Sequence, residues 1–209
     1  MDMTSGNEKQ VVSGRKSAAS RVLILDAAAR LFRDQGYVAT TLRQIAEAAN
    51  MKAGSIYYHF NSKEEILDEV LNQGLRLIFD AVKQAVSDAG ADASCARQLE
   101  AAITTHLQML LEKSDYTSAD IRIYNQLPTG LRARHRRLRR EYGEYWDRLL
   151  QGGQAAGEIR TDIEIVPLRM LVLGALNWTL EWFNVDKRSV EELAQLACVL
   201  VMEGIARRD

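Results

Sequence analysis

The fold of this chain is decided between Thr41 and Glu65. That stretch reads Thr41-Leu-Arg-Gln-Ile-Ala-Glu-Ala-Ala49, Asn50-Met-Lys52, Ala53-Gly-Ser-Ile-Tyr-Tyr-His59, Phe60-Asn-Ser-Lys-Glu-Glu65. Thr41 followed three residues later by Gln44 is a capping box, in which the hydroxyl accepts from the Gln44 amide and the Gln44 side chain reaches back. It opens a short helix through Ala49. Asn50-Met51-Lys52 is a turn, Ala53 to His59 a second short helix, and Phe60-Asn61 a break. Ser62-Lys-Glu-Glu65 is a second capping box and opens a long helix to about Ser87. Helix, tight turn, helix is the arrangement in which the second helix enters a major groove while the first braces it across the backbone.

The residue types suit that task. Ala46 and Ala49 are small enough for a close helix crossing, and Ile45 and Ile56 can lock the pair over Phe32 and Leu42. What remains on the second helix is Lys52, Ser55, Tyr57, Tyr58 and His59, which are hydrogen-bond donors and a cation. No acidic residue lies between Glu47 and Glu64, as a surface facing phosphates requires. The formal net charge of −1 over 209 residues argues at first against a nucleic-acid partner. By segment it does not. Residues 9–63 hold nine Lys or Arg against three acids, a net +6, while residues 64–209 carry −5 and Asp2 with Glu8 another −2.

Working outward, residues 1–18 are polar, include Lys9, Arg15 and Lys16, and read as a mobile basic arm that either follows a groove or is simply solvated. Val22, Leu25, Ala29 and Phe32 recur at helical spacing to about Gln35, where Gly36 caps the helix. Beyond the break at Ala89-Gly90-Ala91, helices are expected near 93–112, 117–126, 130–156, 166–184 and 189–206, the last capped by Ser189. Twenty-six alanines against two prolines predict an all-α chain of about nine helices. Apolar residues at 47% and charged ones at 26% are globular values, so a core forms without disulfides or metal. Cys95 and Cys198 form no motif, which fits a reducing cytoplasm. No secretory signal and no run of 18 apolar residues is present, so no membrane span is expected.

An enzyme is the rival class. His59, His106 and His135 lie far apart with no metal spacing, and there is no Gly-x-Ser-x-Gly, P-loop or Gly-x-Gly-x-x-Gly. Neither a catalytic site nor a metal or other cofactor is therefore expected. A helical ligand-binding protein without operator function is the second alternative, and the acid-free segment 48–63 speaks against it.

The run Thr40-Thr-Leu-Arg-Gln-Ile-Ala-Glu-Ala-Ala, then Gly54-Ser-Ile-Tyr-Tyr-His-Phe, then Ser62-Lys-Glu-Glu closely resembles the amino-terminal domain of the TetR family of transcriptional regulators. The resemblance is dense over residues 20–70 and fits the length and helix count. It implies an arm over 1–18, a helix-turn-helix domain over 19–66 and an effector-binding and dimerisation domain over 67–209. It implies a repressor of a pseudo-palindromic operator in double-stranded DNA, released by a small-molecule effector; an activator of the same fold stays open. Carried onto matching positions, Arg43 and Ser55 contact bases or nearby phosphates, and Tyr57, Tyr58, His59 and Lys63 contact the backbone. Tyr57 alternatively packs into the small core. Thr41 is a cap and, through its helix terminus, a phosphate ligand, or a plain cap only. Lys52 at the turn is a further phosphate candidate.

The resemblance also implies a homodimer through the last two helices. On 189–206 the stripe Val190, Leu193, Ala194, Ala197, Val201 and Ile205 suits close packing, within the subunit or across it. Trp178 and Trp182 are i,i+4 neighbours on a helix that also carries Asn177 and Thr179 in an apolar setting, the composition of a ligand cavity or of an aromatic core or dimer seam. On the helix at 130–156, Leu131, His135, Leu138, Tyr142, Tyr145 and Leu149 share a face with Trp146 beside them. Arg134 and Arg139 flank that face, where they can clamp an anionic head group or simply be solvated. Leu127-Pro-Thr-Gly-Leu-Arg132 and Gly174-Ala-Leu-Asn-Trp-Thr179 resemble the subgroup of TetR regulators tied to fatty-acid and steroid catabolism, whose members respond to acyl-CoA thioesters. The candidate effector residues are His106, Tyr124, Arg134, Arg139, Tyr142, Trp146, Asn177, Trp178 and Trp182.

Overall fold

Apolar residues at three- and four-residue spacing, many alanines and almost no proline give helices throughout. A computed structural model describes residues 5–90, 92–127 and 129–206, without the side chains of 5–16 and 125. Among these residues nine α-helices follow in order: α1 Ser5–Ala39, α2 Leu42–Ala48, α3 Ala53–Ile56, α4 Lys63–Asp88, α5 Cys95–Gln108, α6 Asp115–Ile123, α7 Thr129–Ala155, α8 Ile165–Trp182 and α9 Val190–Ile205. No strand occurs among the described residues, and no described helix is long and apolar enough to cross a membrane.

Several boundaries differ from expectation for local reasons. The segment expected as a mobile arm is helical from Ser5 and continuous with α1; it contains no proline, and extending an existing helix avoids the cost of a new nucleus. Residues 1–4 and the side chains of Lys9, Arg15 and Lys16 lie outside the described residues. α1 breaks where Gly36 was expected to stop it: Gly36 has φ 81 and ψ 166, a backbone conformation open to glycine. α3 ends at Ile56 instead of His59, because the His59 amide turns back three residues to the Ile56 carbonyl, at 2.9 Å. α5 gives way to a π turn over Met109–Lys113, whose Leu110 carbonyl accepts from Ser118 Oγ at 2.6 Å. Ser114 caps α6 by accepting from the Thr117 amide at 3.1 Å, so the helix starts two residues before the expected 117.

α4 is the spine. Ile66, Leu67, Val70 and Leu71 belong to an amino-terminal core with Ile24, Phe32, Ile45, Ile56 and Phe60. Leu75, Ile78, Val82 and Val86 belong to a second core with residues of α5, α7, α8 and α9. Each such fully buried aliphatic side chain stabilises the fold by about 1.5–3 kcal/mol relative to an exposed one. The domain boundary expected after residue 66 falls inside α4, and packing does not break there. The amino-terminal core also takes in Ala119 and Ile123 of α6 and Leu131 of α7. Between the cores sits Gly74, where α6 crosses so closely that an added Cβ would collide with the Tyr116 carbonyl. Thr117 Oγ1 donates to the Gly74 carbonyl at 3.1 Å across that crossing.

The stripe on α9 turns inward. Val190, Leu193, Ala194 and Ile205 are buried, and Leu196, Val199 and Leu200 form the outward face. α8 likewise buries Leu168, Val172, Leu176 and Thr179 and exposes Val166, Met170, Leu171, Trp178 and Trp182.

Candidate functional site

The α2–α3 unit is built as its sequence requires. The Gln44 amide donates to Thr41 Oγ1 at 3.2 Å and the Thr41 amide to Gln44 Oε1 at 2.8 Å, completing the capping box. The box at Ser62 is only half reciprocal: Ser62 Oγ accepts from the Glu65 amide at 3.1 Å, but the Glu65 carboxylate takes the amide of Asn61, at 2.8 Å. Ile45 and Ile56 are fully buried over Phe32, with Leu42 packed against the same core.

Above this core the unit leaves Thr41, Arg43, Lys52, Tyr57 and Tyr58 exposed and Ser55 and His59 half-buried. Tyr57 is 62% accessible, so it does not serve the small core. Arg43 Nε lies 2.9 Å from Glu47 one turn on, with both side chains in solvent. Such a pair is screened and easily exchanged for another anion. Lys63 is placed otherwise than expected. Its Nζ donates to the carbonyls of Tyr37 at 2.9 Å and Thr40 at 2.7 Å and sits 4.1 Å from the Tyr37 ring centroid. It closes the end of α1 beyond Gly36, and burial pulls its ammonium below the usual lysine range.

The carboxy-terminal body holds a cavity of about 290 Å³ between α4, α5, α6, α7 and α8. Leu75, Ile78 and Leu173 supply apolar wall; His106, Arg139, Tyr142, Arg169 and Asn177 supply the polar groups. A second hollow shares Ile121, Arg139, Gly174 and Asn177 with it and opens beside Arg122, Tyr124, Trp178 and Glu181. His106 is buried, with Nδ1 2.9 Å from the Tyr142 hydroxyl and Nε2 3.0 Å from Asn177 Oδ1. Burial pushes its pKa down to about 4, so the imidazole is neutral at physiological pH. Arg139 Nη2 donates to Asp120 Oδ2 at 2.6 Å, and its guanidinium lies 3.8 Å from the Tyr124 ring centroid. Asp120 is buried, which pushes its carboxyl up against the opposing pull of Arg139.

Of the nine candidate effector residues, His106, Arg139, Tyr142 and Asn177 line the inner cavity, and Tyr124 and Trp178 its mouth. Three do not line either hollow. Arg134 is exposed and reaches Asp68 at 3.4 Å, because its position on α7 faces the flank of α4. Trp146 is fully buried in the second core, and Trp182 stands on the outer face of α8 against Phe183. Leu75, Ile78, Ile121, Arg169 and Leu173 were not read from the sequence. The α4 pair looks like ordinary core in sequence, and Arg169, a lone arginine in an apolar helix, carries no local mark of a cavity. It pairs with Asp147 at 2.7 Å. Among the described residues, no cluster of His, Cys, Asp or Glu is arranged to hold a metal.

α6 ties the cavity wall to the amino-terminal unit. Arg122 contacts Glu181 of α8 at 3.7 Å and donates to the Arg33 carbonyl of α1 at 2.9 Å. Asp115 pairs with Arg33, and the Tyr116 hydroxyl donates to Asp26 at 2.6 Å. On α7, His135 Nε2 lies 3.1 Å from Asp68 of α4.

Comparison with known proteins agrees with this architecture. Residues 24–70 match the model for bacterial regulatory proteins of the tetR family, and residues 92–205 match the tetracyclin repressor-like carboxy-terminal domain. The HTH-type transcriptional repressor KstR2 of Rhodococcus jostii is 32% identical over 98% of this chain and 95% of its own length. The TetR-family regulator PfmR of Thermus thermophilus superposes with a TM-score of 0.76 at 28% identity, over 88% of this chain and 99% of that one. AibR, solved in complex with isovaleryl coenzyme A and operator DNA, superposes with a TM-score of 0.77 at 25% identity, covering 87% of this chain and 96% of that one. The chain therefore belongs to the TetR family of bacterial regulatory proteins, and it is a DNA-binding transcriptional regulator rather than an enzyme.

Proposed function

We propose that this protein is a cytoplasmic homodimeric repressor, released from a pseudo-palindromic operator when an acyl-CoA or related lipid-derived thioester enters the cavity of its carboxy-terminal body. Two copies of α3 dock into successive major grooves. Arg43 and Ser55 approach base edges, while Thr41, Lys52, Tyr57, Tyr58 and His59 hold the phosphate backbone. Lys63 supports the loop behind them. The outward faces of α8 and α9, with Leu171, Trp178, Leu196 and Leu200 exposed, form the subunit interface.

The observation that carries the effector reading is the cavity itself. It is small, lined by Leu75 and Ile78 on the helix that also carries the amino-terminal core, and edged by Arg139 and Arg169 with Arg122 at the mouth. At about 290 Å³ it takes an acyl group and leaves an anionic head at the arginines. Similarity to AibR, solved with isovaleryl coenzyme A, supports the same class of ligand. Because α4 and α6 bound both the cavity and the amino-terminal core, a ligand that parts them changes the spacing of the two reading heads. Effector and operator then weaken each other's binding by the same factor. The test is to select bound fragments from the source genome and challenge the complex with acyl-CoAs of graded chain length and with sterol-derived thioesters. Release by one thioester class is the expected result. Operator affinity unchanged by every thioester would overturn the effector assignment.

A further inference from the structure

Three polar side chains on three different helices meet at the inner wall of the cavity: His106 on α5, Tyr142 on α7 and Asn177 on α8. They form a continuous chain of hydrogen bonds, Tyr142 Oη to His106 Nδ1 at 2.9 Å and His106 Nε2 to Asn177 Oδ1 at 3.0 Å. His106 and Tyr142 are buried, and all three border the cavity together with Leu75, Ile78 and Leu173. Among the described residues, the Asn177 side chain makes no other hydrogen bond.

A neutral imidazole has one N–H and one lone pair, so the chain has a direction. In one sense the Tyr142 hydroxyl donates to Nδ1, the Nε2 hydrogen is donated to Asn177 Oδ1, and the Asn177 amide is left with N–H groups to offer. With the amide turned over, Asn177 donates to Nε2 and the Nδ1 hydrogen goes to the Tyr142 oxygen. The chain then offers an acceptor at Asn177 and the Tyr142 hydroxyl as a donor. In either sense Asn177, half-buried at the cavity wall, keeps a donor or an acceptor free for whatever enters. A saturated chain filling the cavity would strand it. A ketone satisfies the first sense and a hydroxyl the second. A carboxylate is served instead by Arg139 and Arg169 at the edge of the cavity, since the wire itself carries no cation.

We infer that the His106–Tyr142–Asn177 wire is a recognition subsite for a neutral oxygen on the buried part of the effector, so that the preferred ligand is an acyl thioester bearing a keto or hydroxyl group on its chain. This rests on the reading that the cavity holds the effector. It goes further by setting the chemistry of the part that enters.

The test uses the full-length protein and matched probes: octanoyl-CoA, octanoyl-CoAs with a keto group at successive carbons from C5 to C7, and 2-octanone without any CoA. By titration calorimetry, one oxo-thioester should bind the wild type at least tenfold more tightly than octanoyl-CoA. Asn177→Leu and the nearly isosteric Tyr142→Phe should each bring that ratio toward one. Should Asn177→Leu fail to fold, Tyr142→Phe alone decides. If oxo and plain thioesters bind alike, the subsite inference falls and the acyl-CoA reading stands. If no thioester binds but 2-octanone raises the melting temperature of the wild type and not of Tyr142→Phe, the subsite stands and the CoA reading falls. If neither probe class binds, both fall.

Discussion

α3 and α8 both put aromatic side chains on the surface, for opposite reasons. Past the end of α3, Tyr57 and Tyr58 are exposed to 62% and 88%; on α8, Trp178 and Trp182 are exposed to 65% and 56%. Accessibility alone does not separate them, but their neighbours do. The tyrosines stand among Lys52, Ser55 and His59 with no carboxylate from residue 48 to 63, a hydrogen-bonding surface suited to phosphates and base edges. The tryptophans stand on a helix that also exposes Val166, Met170 and Leu171, and α9 exposes Leu196, Val199 and Leu200. A run of apolar side chains that large, left in water, marks a protein partner. An exposed aromatic is thus a partner signal whose meaning is set by the charge and polarity around it.

The largest expected effect comes from placing a charge on the second surface. Leu200 is exposed in the subunit, so Leu200→Glu should leave each subunit folded while burying an unpaired carboxylate at any interface there. We expect monomers by light scattering and operator affinity reduced by more than about 100-fold, because two half-sites are no longer held together. A Leu200→Glu protein that stays dimeric would place the subunit contact elsewhere and remove the contrast between the two faces.

Next in size is a property of the body that the reading head does not share. The body also works through what it hides. The folded state holds His106 near a pKa of about 4, against an ordinary value of 6.5. Below pH 6.5 the unfolded chain takes a proton there that the folded chain refuses. Stability is therefore lost as pH falls from 6.5 toward 4, by about 3 kcal/mol in all. Urea denaturation at fixed protein concentration over that range should show the slope, and His106→Gln should reduce it, the remainder coming from buried His135, which burial also holds below its ordinary range. An unchanged slope in the variant would mean that His106 is not held neutral by its surroundings.

How far these regions were legible in the sequence follows from how far apart their parts lie. The capping box at Thr41, the break at Gly36 and the inward pair Ile45 and Ile56 are local signals, written within a few residues of where they act, and each is present in the structure. The cavity is not local. Its walls come from residue 75 to residue 177 on five helices, and Leu75 and Ile78 carry no mark that distinguishes a cavity wall from core. Trp146 looked like a ligand contact because it shares a helix face with Tyr142, yet that face runs deeper than the cavity and Trp146 is fully buried. The α9 stripe could be packed inside the subunit or across it; the structure shows it packed within, and the other face carries the exposed leucines.

A middle-sized effect tests the first surface. Tyr57→Ala should weaken binding by about 10–100-fold for each half-site, the scale of one well-placed contact, with dimer and melting temperature unchanged. Loss of stability instead would return Tyr57 to the small core. Arg43→Ala should relax preference among operator sequences, since its partner Glu47 is equally exposed and the fold does not depend on the pair. Equal loss on operator and random DNA would make Arg43 a phosphate contact.

The smallest and sharpest test separates two lysines that look equivalent in sequence. Lys52 is exposed at the turn into α3, while Lys63 spends its ammonium on the Tyr37 and Thr40 carbonyls. A phosphate contact releases counterions, and its loss lowers the slope of log K against log salt by about 0.9. A Lys52→Ala dimer loses two such contacts and should therefore flatten that slope by about two and leave the melting temperature alone. Lys63→Ala should keep the slope and cost roughly 1–2 kcal/mol of stability, because the carbonyls at the end of α1 lose a charged donor. If both variants flatten the slope equally, Lys63 leaves its carbonyls on DNA, and the loop behind α3 rearranges when the head docks. If neither does, the acid-free segment works through neutral hydrogen bonds, and the tyrosines hold the backbone without help from the turn.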